Sequence, residues 1–483
     1  MSSSISLKKN FILNVILTMS TIIFPLITFP YVSRIIGPSG TGKVTFATSI
    51  ISYFSLFAQL GIPTYGIRIC ARCRDDKEEF TRTVQELLII NLFMDVLSYL
   101  IFFITLYTIP KFIEYRSLLV LMSSTILLTT IGIEWLYRAI EEYNFITISS
   151  VIFKCISMVL LFLTVHTADD YLYYGGLSVL SASGSCIINF IYARKYVSFK
   201  LVGNYNFGQH LRPIMVFFAM SCATTVYTNL DNVMLGFMAG DEEIGYYNAA
   251  VKIKMALVSV VTSLGAVLLP RISYFVSREK HEEARMIVKK AIHFVFFIAI
   301  PLTIYFILFA KESIFLLSGT QFSSSILPMQ IIMPTVLIIG ISNVTGIQML
   351  IPIGKERIVL YSEIAGAIVD LIINAILIPV CGASGAAIGT LIAEIVVLAI
   401  QYFYIRKDYP DIFLKINIKS IMLASLISSL TCIWVKLMKI NNFSILLLSS
   451  IIYFMIYLFI MFMKNDDIAK EVVSIIKKIM KVD

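Results

Sequence analysis

The chain has 483 residues, of which 58% are hydrophobic and only 14% are charged, and its mean hydropathy is +0.87. Soluble domains carry roughly 25% charged residues, so this composition excludes an ordinary soluble protein and indicates a membrane protein. The net charge of +9 is typical of basic loops that contact anionic membrane lipids, and nucleic acid is not expected as a partner.

Apolar stretches long enough to cross a bilayer follow one another along almost the whole chain. A crossing helix needs about 20 mostly apolar residues, and its backbone polar groups have to be satisfied within the helix. The sequence therefore predicts an all-α polytopic protein with about 14 transmembrane helices. The predicted spans are residues 11–33, 44–66, 84–109, 117–137, 147–165, 171–193, 213–238, 246–269, 291–310, 326–350, 358–379, 383–405, 418–436 and 443–463.

The loop charges predict the orientation of these spans. Both termini and every second loop share one side, and together they hold 29 of the 39 Lys and Arg residues; the opposite loops hold seven. Because basic residues concentrate on the cytoplasmic side, both termini are predicted to be cytoplasmic. Residues 464–483 form a basic amphipathic tail that is expected to lie on the inner membrane surface.

Three landmarks recur at an offset of about 203 residues, which indicates an internal repeat. Gly42 corresponds to Gly245, Gly61 to Gly265, and the segment from Lys77 to that from Lys280. Six predicted spans separate the copies, so the copies have the same orientation. The sequence predicts two parallel six-helix lobes, residues 1–200 and 201–410, then helices 13 and 14 in 411–463 and the tail in 464–483.

Cationic side chains near or within the spans are candidates for binding an anionic substrate. Arg34 follows the first span, Lys43 precedes the second, and Lys252 lies on the polar face of the eighth. If the transported molecule carries a pyrophosphate, these cations would bind it in a cavity of low dielectric. Thr and Asn on the same helices have an alternative role, since they also join helices by hydrogen bonds.

Polar and acidic residues within the spans are candidates for coupling or for lining a cavity, because ionisable groups in a membrane usually face the bundle interior. A buried carboxylate can load and release a proton or bind Na⁺, so the sequence leaves H⁺ and Na⁺ gradients open. No catalytic constellation, metal site or cofactor motif is found, and the protein is predicted not to be an enzyme. The candidate residues are Asp231, Asp370, Glu394, Asn248 and Asn374.

Several sequence blocks resemble those of bacterial polysaccharide flippases, and they occur in the same order. The resemblance covers nearly the whole chain. It places the chain among flippases for O-antigen or capsule repeat units, in the multidrug/oligosaccharidyl-lipid/polysaccharide exporter superfamily. The blocks are Pro30–Lys43, Leu60–Gly66, Asn229–Gly236, Gly245–Lys252, Gly346–Lys355, Asn374–Pro379 and Gly382–Ala387.

The resemblance implies two six-helix lobes around a cationic central cavity, with two extra helices. It also implies that polyprenyl-pyrophosphate-linked oligosaccharide moves from the inner to the outer leaflet by alternating access, alongside a polysaccharide polymerase and chain-length machinery. The alternatives are a cation-coupled multidrug exporter of the same superfamily and a membrane polysaccharide polymerase. By position, Arg34, Asp231 and Lys252 match the family blocks.

Overall fold

The computed structural model describes residues 7–409 and 417–479, and it is helical almost throughout, with no strand among these residues. Eleven of the described helices are long and apolar enough to cross a membrane, or twelve if one bent pair counts as a single span. This confirms the all-α membrane fold. The exact number of fourteen crossings stays a prediction.

Contacts divide the chain into two compact units, residues 1–245 and 246–483. The sequence predicts that the span at 213–238 begins the second lobe. In the structure this span belongs to the first compact unit. The lobe boundaries stay predictions. The first unit holds α1 Leu7–Gln59, α2 Ile62–Cys73, α3 Lys77–Thr108, α4 Pro110–Glu114, α5 Arg116–Ile131, α6 Glu134–Ala139, α7 Tyr143–Thr164, α8 Tyr171–Ser183, α9 Ser185–Ala193, α10 Gly208–Met238 and the first residues of α11 Asp241–Ser277.

The second unit contains the rest of α11, a π-helix at Val344–Leu350 and the remaining helices. One predicted span, 326–350, is broken here: its two arms meet at 45° beside Pro334, which cannot donate a backbone hydrogen bond. The helices are α12 His281–Leu308, α13 Ala310–Ser318, α14 Ile326–Ile332, α15 Thr335–Asn343, α16 Glu356–Asp408, α17 Ile418–Cys432, α18 Asn442–Met463 and α19 Asp467–Ile479.

The two longest helices, α1 and α16, each contain a backbone break at a glycine. Gly37 in α1 has φ 66° and Gly382 in α16 has φ 52°. Only glycine adopts this left-handed region without a steric penalty, so the chain can turn between two helical arms there. Each helix has 53 residues, more than the roughly 20 that one crossing needs.

Helix α3 shows how these helices distribute polar and apolar side chains. Phe93 and Val96 are 70% and 71% exposed, whereas Asn91, Asp95 and Ser98 are buried. This pattern is the reverse of that in a soluble protein and is typical of a helix whose apolar face meets lipid. Asn91 Nδ2 donates to Ala58 O at 2.9 Å and Ser98 Oγ donates to Phe54 O at 2.9 Å, so these polar groups join α3 to α1.

The segment that connects α9 to α10 is attached to α3 by two adjacent side chains. Gln85 Nε2 donates to Ser198 O and Lys200 O at 2.6 and 2.8 Å. Glu86 accepts from the backbone N of Asn206 at 2.6 Å and lies 2.7 Å from His210 Nε2. Because these partners are far apart in sequence, the contacts fix the path of the connection and the start of α10.

In the second unit, Asp466 lies just before the C-terminal helix α19, where its side chain caps the helix and pairs with a histidine. Asp466 Oδ1 accepts from the backbone N atoms of Ile468 and Ala469 at 3.0 and 3.2 Å, and its Oδ2 lies 2.9 Å from His293 Nε2 on α12. The cap stabilises the helix start. The pair attaches α19 to α12. The surface position of the tail stays a prediction, and residues 480–483 lie outside the described residues.

The pairing of Asp466 with His293 predicts that the free energy of unfolding depends on pH. Burial raises the pKa of Asp466, but the hydrogen bond and charge of His293 and the two backbone amides outweigh it, so the pKa is lower than the ordinary 3.8. The stabilising effect is therefore complete above about pH 3.8 and is lost as the pH falls through the lowered pKa of the folded state. At pH 7, Asp466→Asn should lower the free energy of unfolding by about 1.5 kcal/mol, measured by thermal unfolding in detergent.

The loss of stability caused by Asp466→Asn should become smaller as the pH falls below 4. Asp467→Asn is the matched control, since Asp467 is the exposed neighbouring carboxylate. A cost for Asp466→Asn that stays constant from pH 7 to pH 3 would contradict this account.

Candidate functional site

The first unit contains a cavity of about 470 Å³ bounded by α1, α2, α5, α8 and α10. This volume is within the range of roughly 300–1,000 Å³ that small-molecule sites have. Among the described residues that line it, ten have uncharged polar side chains and none is charged. These ten are Thr48, Ser52, Ser55, Gln59, Thr125, Thr129, Ser178, Ser221, Thr225 and Asn229.

Helical spacing explains why these polar groups share one wall. On α1, the four polar lining residues from Thr48 to Gln59 are spaced by four, three and four positions. On α10, Ser221, Thr225 and Asn229 are four apart. Residues at such intervals lie on one face of a helix, so each helix presents a polar stripe to the cavity.

Four of the eight hydroxyl groups that line the cavity donate their proton to a backbone carbonyl of their own helix. Thr48 Oγ1 donates to Val44 O at 2.7 Å, and Ser52 Oγ donates to Thr48 O at 2.8 Å. Thr129 Oγ1 and Ser178 Oγ do the same to the carbonyls of Thr125 and Tyr174, at 2.8 and 2.9 Å. A hydroxyl has a single proton and two lone pairs, so each of these groups presents an acceptor to the cavity.

Asn229 adds an amide to the same wall. Its Nδ2 donates to Thr225 O at 3.1 Å and to Thr228 Oγ1 at 3.2 Å. Since both amide hydrogens have partners on α10 itself, the carbonyl oxygen is the group left to bind a ligand.

The three predicted cations lie outside this wall. Arg34 is exposed on α1 and donates to Pro30 O. Lys43 is half-buried, with its ammonium 4.9 Å from the centre of the Tyr171 ring. Lys252 is half-buried on α11, in the second unit. None of these residues lines the cavity described above. Their role in binding an anion stays a prediction.

Two of the predicted coupling or lining residues, Asp231 and Asn248, are not among the residues that line that cavity. Asp231 is buried on α10, two positions after Asn229, which lines the cavity. Asn248 is half-buried on α11. Their proposed roles rest on the sequence argument.

The remaining three residues are buried on α16 in the second unit, and two of them, Asp370 and Asn374, form a polar cluster beside Gly389 on its second arm. A Cβ atom at Gly389 would lie 2.1 Å from Asn374 Oδ1 and 2.9 Å from Asp370 Oδ1, so the glycine leaves room for both side chains. The next residue, Thr390, has its Oγ1 2.8 Å from Tyr247 Oη, and Glu394 follows one turn later with 7% exposure. The structure thus places Asp370 and Asn374 together beside Gly389, a residue that the sequence did not identify as part of a site.

Across the residues that the structure describes, no group of three or more His, Cys, Asp or Glu side chains is arranged to hold a metal ion.

The structure contains a buried lysine for which the sequence predicts no role. Lys154 on α7 is only 7% exposed, and its Nζ donates to Ser20 Oγ on α1 at 2.6 Å. Ser20 in turn donates to Leu17 O at 2.6 Å. A charge inside a membrane usually faces a partner in the bundle, and here the partner, 134 positions away, could not be read from the local pattern.

The comparison with known families decides what kind of protein carries these sites. The sequence profile of the family described as "Polysaccharide biosynthesis protein" matches residues 7–276, more than half of the chain. The chain belongs to the polysaccharide biosynthesis protein family. A second profile, MatE, matches residues 217–376. The resemblance predicted from the sequence, to polysaccharide flippases of the exporter superfamily, is thereby confirmed.

Relatives within this family cover most of the chain. It is 22% identical over 411 residues to a protein of Escherichia coli (strain K12) named "Putative O-antigen transporter", covering 84% of this chain and 98% of that protein. A protein of the same name from Shigella dysenteriae is 26% identical over 398 residues, covering 81% of this chain and 98% of that protein.

Solved structures show the same fold as this member of the family. The lipid II flippase MurJ in its inward closed conformation has a TM-score of 0.70 at 16% identity, covering 95% of this chain and 99% of that one. An inward-facing multidrug resistance MATE family transporter has a TM-score of 0.62 at 15% identity, covering 84% and 99%. At this identity the likeness concerns the fold.

Proposed function

We propose that this protein is a flippase that moves polyprenyl-pyrophosphate-linked oligosaccharide repeat units from the inner to the outer leaflet of the bacterial cytoplasmic membrane. It acts by alternating access in the biosynthesis of a surface polysaccharide, O-antigen or capsule. The observation that carries the proposal is the family match over residues 7–276. The names of two relatives and the polar cavity of the first unit support it.

Each part of the substrate has a proposed site. Arg34, Lys43 and Lys252 would bind the pyrophosphate, since cations attract an anion strongly where the dielectric is low. The polar stripes of the cavity would contact the saccharide. Both termini would lie in the cytoplasm, where the basic loops and tail contact anionic lipids. A polysaccharide polymerase and chain-length machinery would act on the product.

The buried polar cluster of the second unit would couple transport to an H⁺ or Na⁺ gradient, together with Asp231 and Asn248. Asp370, Asn374 and Glu394 contribute carboxylate and amide oxygens, which are the groups that carry protons or bind Na⁺ in a membrane. Asn374 and Asp370 are the residues brought together at Gly389.

A second candidate function is a cation-coupled multidrug exporter, favoured by the MatE match over residues 217–376. Such a transporter would need a deep carboxylate in the first lobe. Asp95 is such a group: it is 2% exposed and accepts a hydrogen bond from Thr130 Oγ1 at 3.0 Å.

The test uses cells that lack this gene, supplied with wild type, Lys252→Ala or the control Lys254→Ala. Polyprenyl-linked saccharide is detected on each leaflet with a sugar-directed probe that cannot cross the membrane. We expect repeat units to be trapped on the inner face in the deletion strain, released by wild type and by Lys254→Ala, and released at least about tenfold more slowly by Lys252→Ala, because a desolvated charge contact is lost. Normal exposure in the deletion strain, with no redundant flippase, together with a drug sensitivity of that strain that wild type reverses, would favour the exporter instead.

A further inference from the structure

The hydrogen-bond pattern of the cavity in the first unit carries an inference about the saccharide itself. We infer that this cavity binds uncharged, hydroxyl-rich sugar residues through acceptor groups on its wall, and that it rejects sugars that carry a carboxylate or phosphate there. This inference rests on the proposed function and deepens it by naming the class of glycan.

The first step is the charge of the wall. Among the described lining residues there is no lysine, arginine or histidine that could neutralise an acidic sugar, and no carboxylate. An anion transferred from water into such a cavity would lose its hydration and gain no cationic partner, which is costly. A neutral sugar loses less hydration, and its hydroxyl groups can form new hydrogen bonds to the wall.

The second step is the direction of the wall's hydrogen bonds. The hydroxyls of Thr48, Ser52, Thr129 and Ser178 donate to carbonyls of their own helices. The amide of Asn229 donates both of its hydrogens within α10. These groups therefore present oxygen lone pairs to the cavity, where they accept from a donor.

The third step is the match between this wall and the two kinds of sugar. Every sugar hydroxyl is a donor, so several can pair with these acceptors at once. An ionised carboxylate has acceptors only, so it cannot pair with these five groups, whose hydrogens are already donated within their own helices. Leaving such groups unpaired disfavours the acidic sugar by about tenfold or more in rate.

The experiment compares two lipid-linked probes that differ at a single carbon. Purified protein is reconstituted into liposomes with polyprenyl-pyrophosphate-linked glucose or polyprenyl-pyrophosphate-linked glucuronic acid. Sugar that reaches the opposite leaflet is measured by its access to an impermeant oxidising reagent. The pyrophosphate and the lipid are the same in both probes, so only the charge of the sugar varies. We expect glucose to cross about tenfold faster than glucuronic acid.

Two variants test the wall directly. Thr129→Val keeps the shape of the side chain but removes an acceptor, and it should slow the neutral probe several-fold. Thr164→Val is the matched control, because Thr164 makes the same bond to its own helix, to Leu160 O at 2.9 Å, but is exposed and outside the cavity. Ser55→Lys adds a cation to the wall and should speed the glucuronic acid probe about tenfold relative to glucose.

The outcomes separate this inference from the proposed function. If wild type moves both probes at equal rates and Ser55→Lys leaves their ratio unchanged, the protein is a flippase but the cavity does not select neutral sugar. If wild type moves neither probe, the proposed function fails and this inference fails with it. A neutral preference that survives Thr129→Val unchanged and is insensitive to Ser55→Lys would place selectivity elsewhere and overturn the role of this wall.

Discussion

Replacing Gly42 with alanine is expected to prevent the close packing of α1 against the start of α11. A Cβ atom at Gly42 would lie 1.8 Å from the carbonyl oxygen of Asp241, and one at Gly245 would lie 2.2 Å from the carbonyl oxygen of Pro38. Both obstacles are backbone atoms, which cannot move aside as a flexible side chain can. Each Gly→Ala change should lower stability by about 3 kcal/mol, the upper part of the usual range for overpacking.

The measurement is the melting temperature and the monodispersity of the purified protein in detergent. Gly208→Ala is the matched control, since a Cβ there meets nothing closer than Asn206 Oδ1 at 3.7 Å. Gly42→Ala and Gly245→Ala should each shift the transition strongly, and Gly208→Ala should not. A Gly42→Ala protein that unfolds at the temperature of wild type would show that the two backbones are not in contact.

These two glycines also show what the sequence could and could not predict. Gly42 and Gly245 were identified as equivalent positions of an internal repeat. The structure shows that they lie against each other, since the Cβ position of Gly42 is 3.2 Å from the backbone N of Gly245. A repeat relates two positions by similarity of sequence, which does not report that they touch. The contact arises from the way α1 and α11 pack.

Where a polar stripe stands out from an apolar helix, helical spacing indicates which face is buried. Asn91, Asp95 and Ser98 recur at helical spacing on α3, and all three are buried while Phe93 and Val96 are exposed. The second arm of α1 carries the same kind of pattern, since Thr48, Ser52, Ser55 and Gln59 recur at helical spacing. Small hydroxyl residues are a weaker indication of a cavity than charges are, because they also join helices by hydrogen bonds.

The direction of each hydrogen bond could not be predicted. Spacing alone places Thr129 and Ser178 on particular faces of their helices, but whether their hydroxyls donate into a cavity or to their own backbone depends on the rotamer. The partners of Lys154 and Glu86 likewise lie more than 100 positions away. Such pairings follow from tertiary packing, which a local pattern does not contain.

The connection between α9 and α10 should become mobile when Glu86 is replaced by alanine. Glu86 and His210 are each 1% exposed, and His210 Nδ1 lies 2.8 Å from Tyr65 Oη. Glu86→Ala would leave His210 and the backbone N of Asn206 without their buried acceptor. Removing one partner of such a buried pair costs about 3–5 kcal/mol. The linker from residue 194 to 207 should then be cleaved by trypsin at Lys200 much faster than in wild type.

Glu78→Ala is the matched control for this change, because Glu78 lies on the same helix but is 73% exposed and pairs with Arg82 at 2.8 Å. Exposed pairs of this kind contribute about 0–1 kcal/mol, so Glu78→Ala should leave cleavage and melting close to wild type. Glu86→Gln keeps one acceptor oxygen and should fall between the two. If Glu86→Ala melted within about 1 kcal/mol of wild type and its linker stayed protected, the attachment would reside in Gln85, whose two bonds to the carbonyls of Ser198 and Lys200 are independent of the carboxylate.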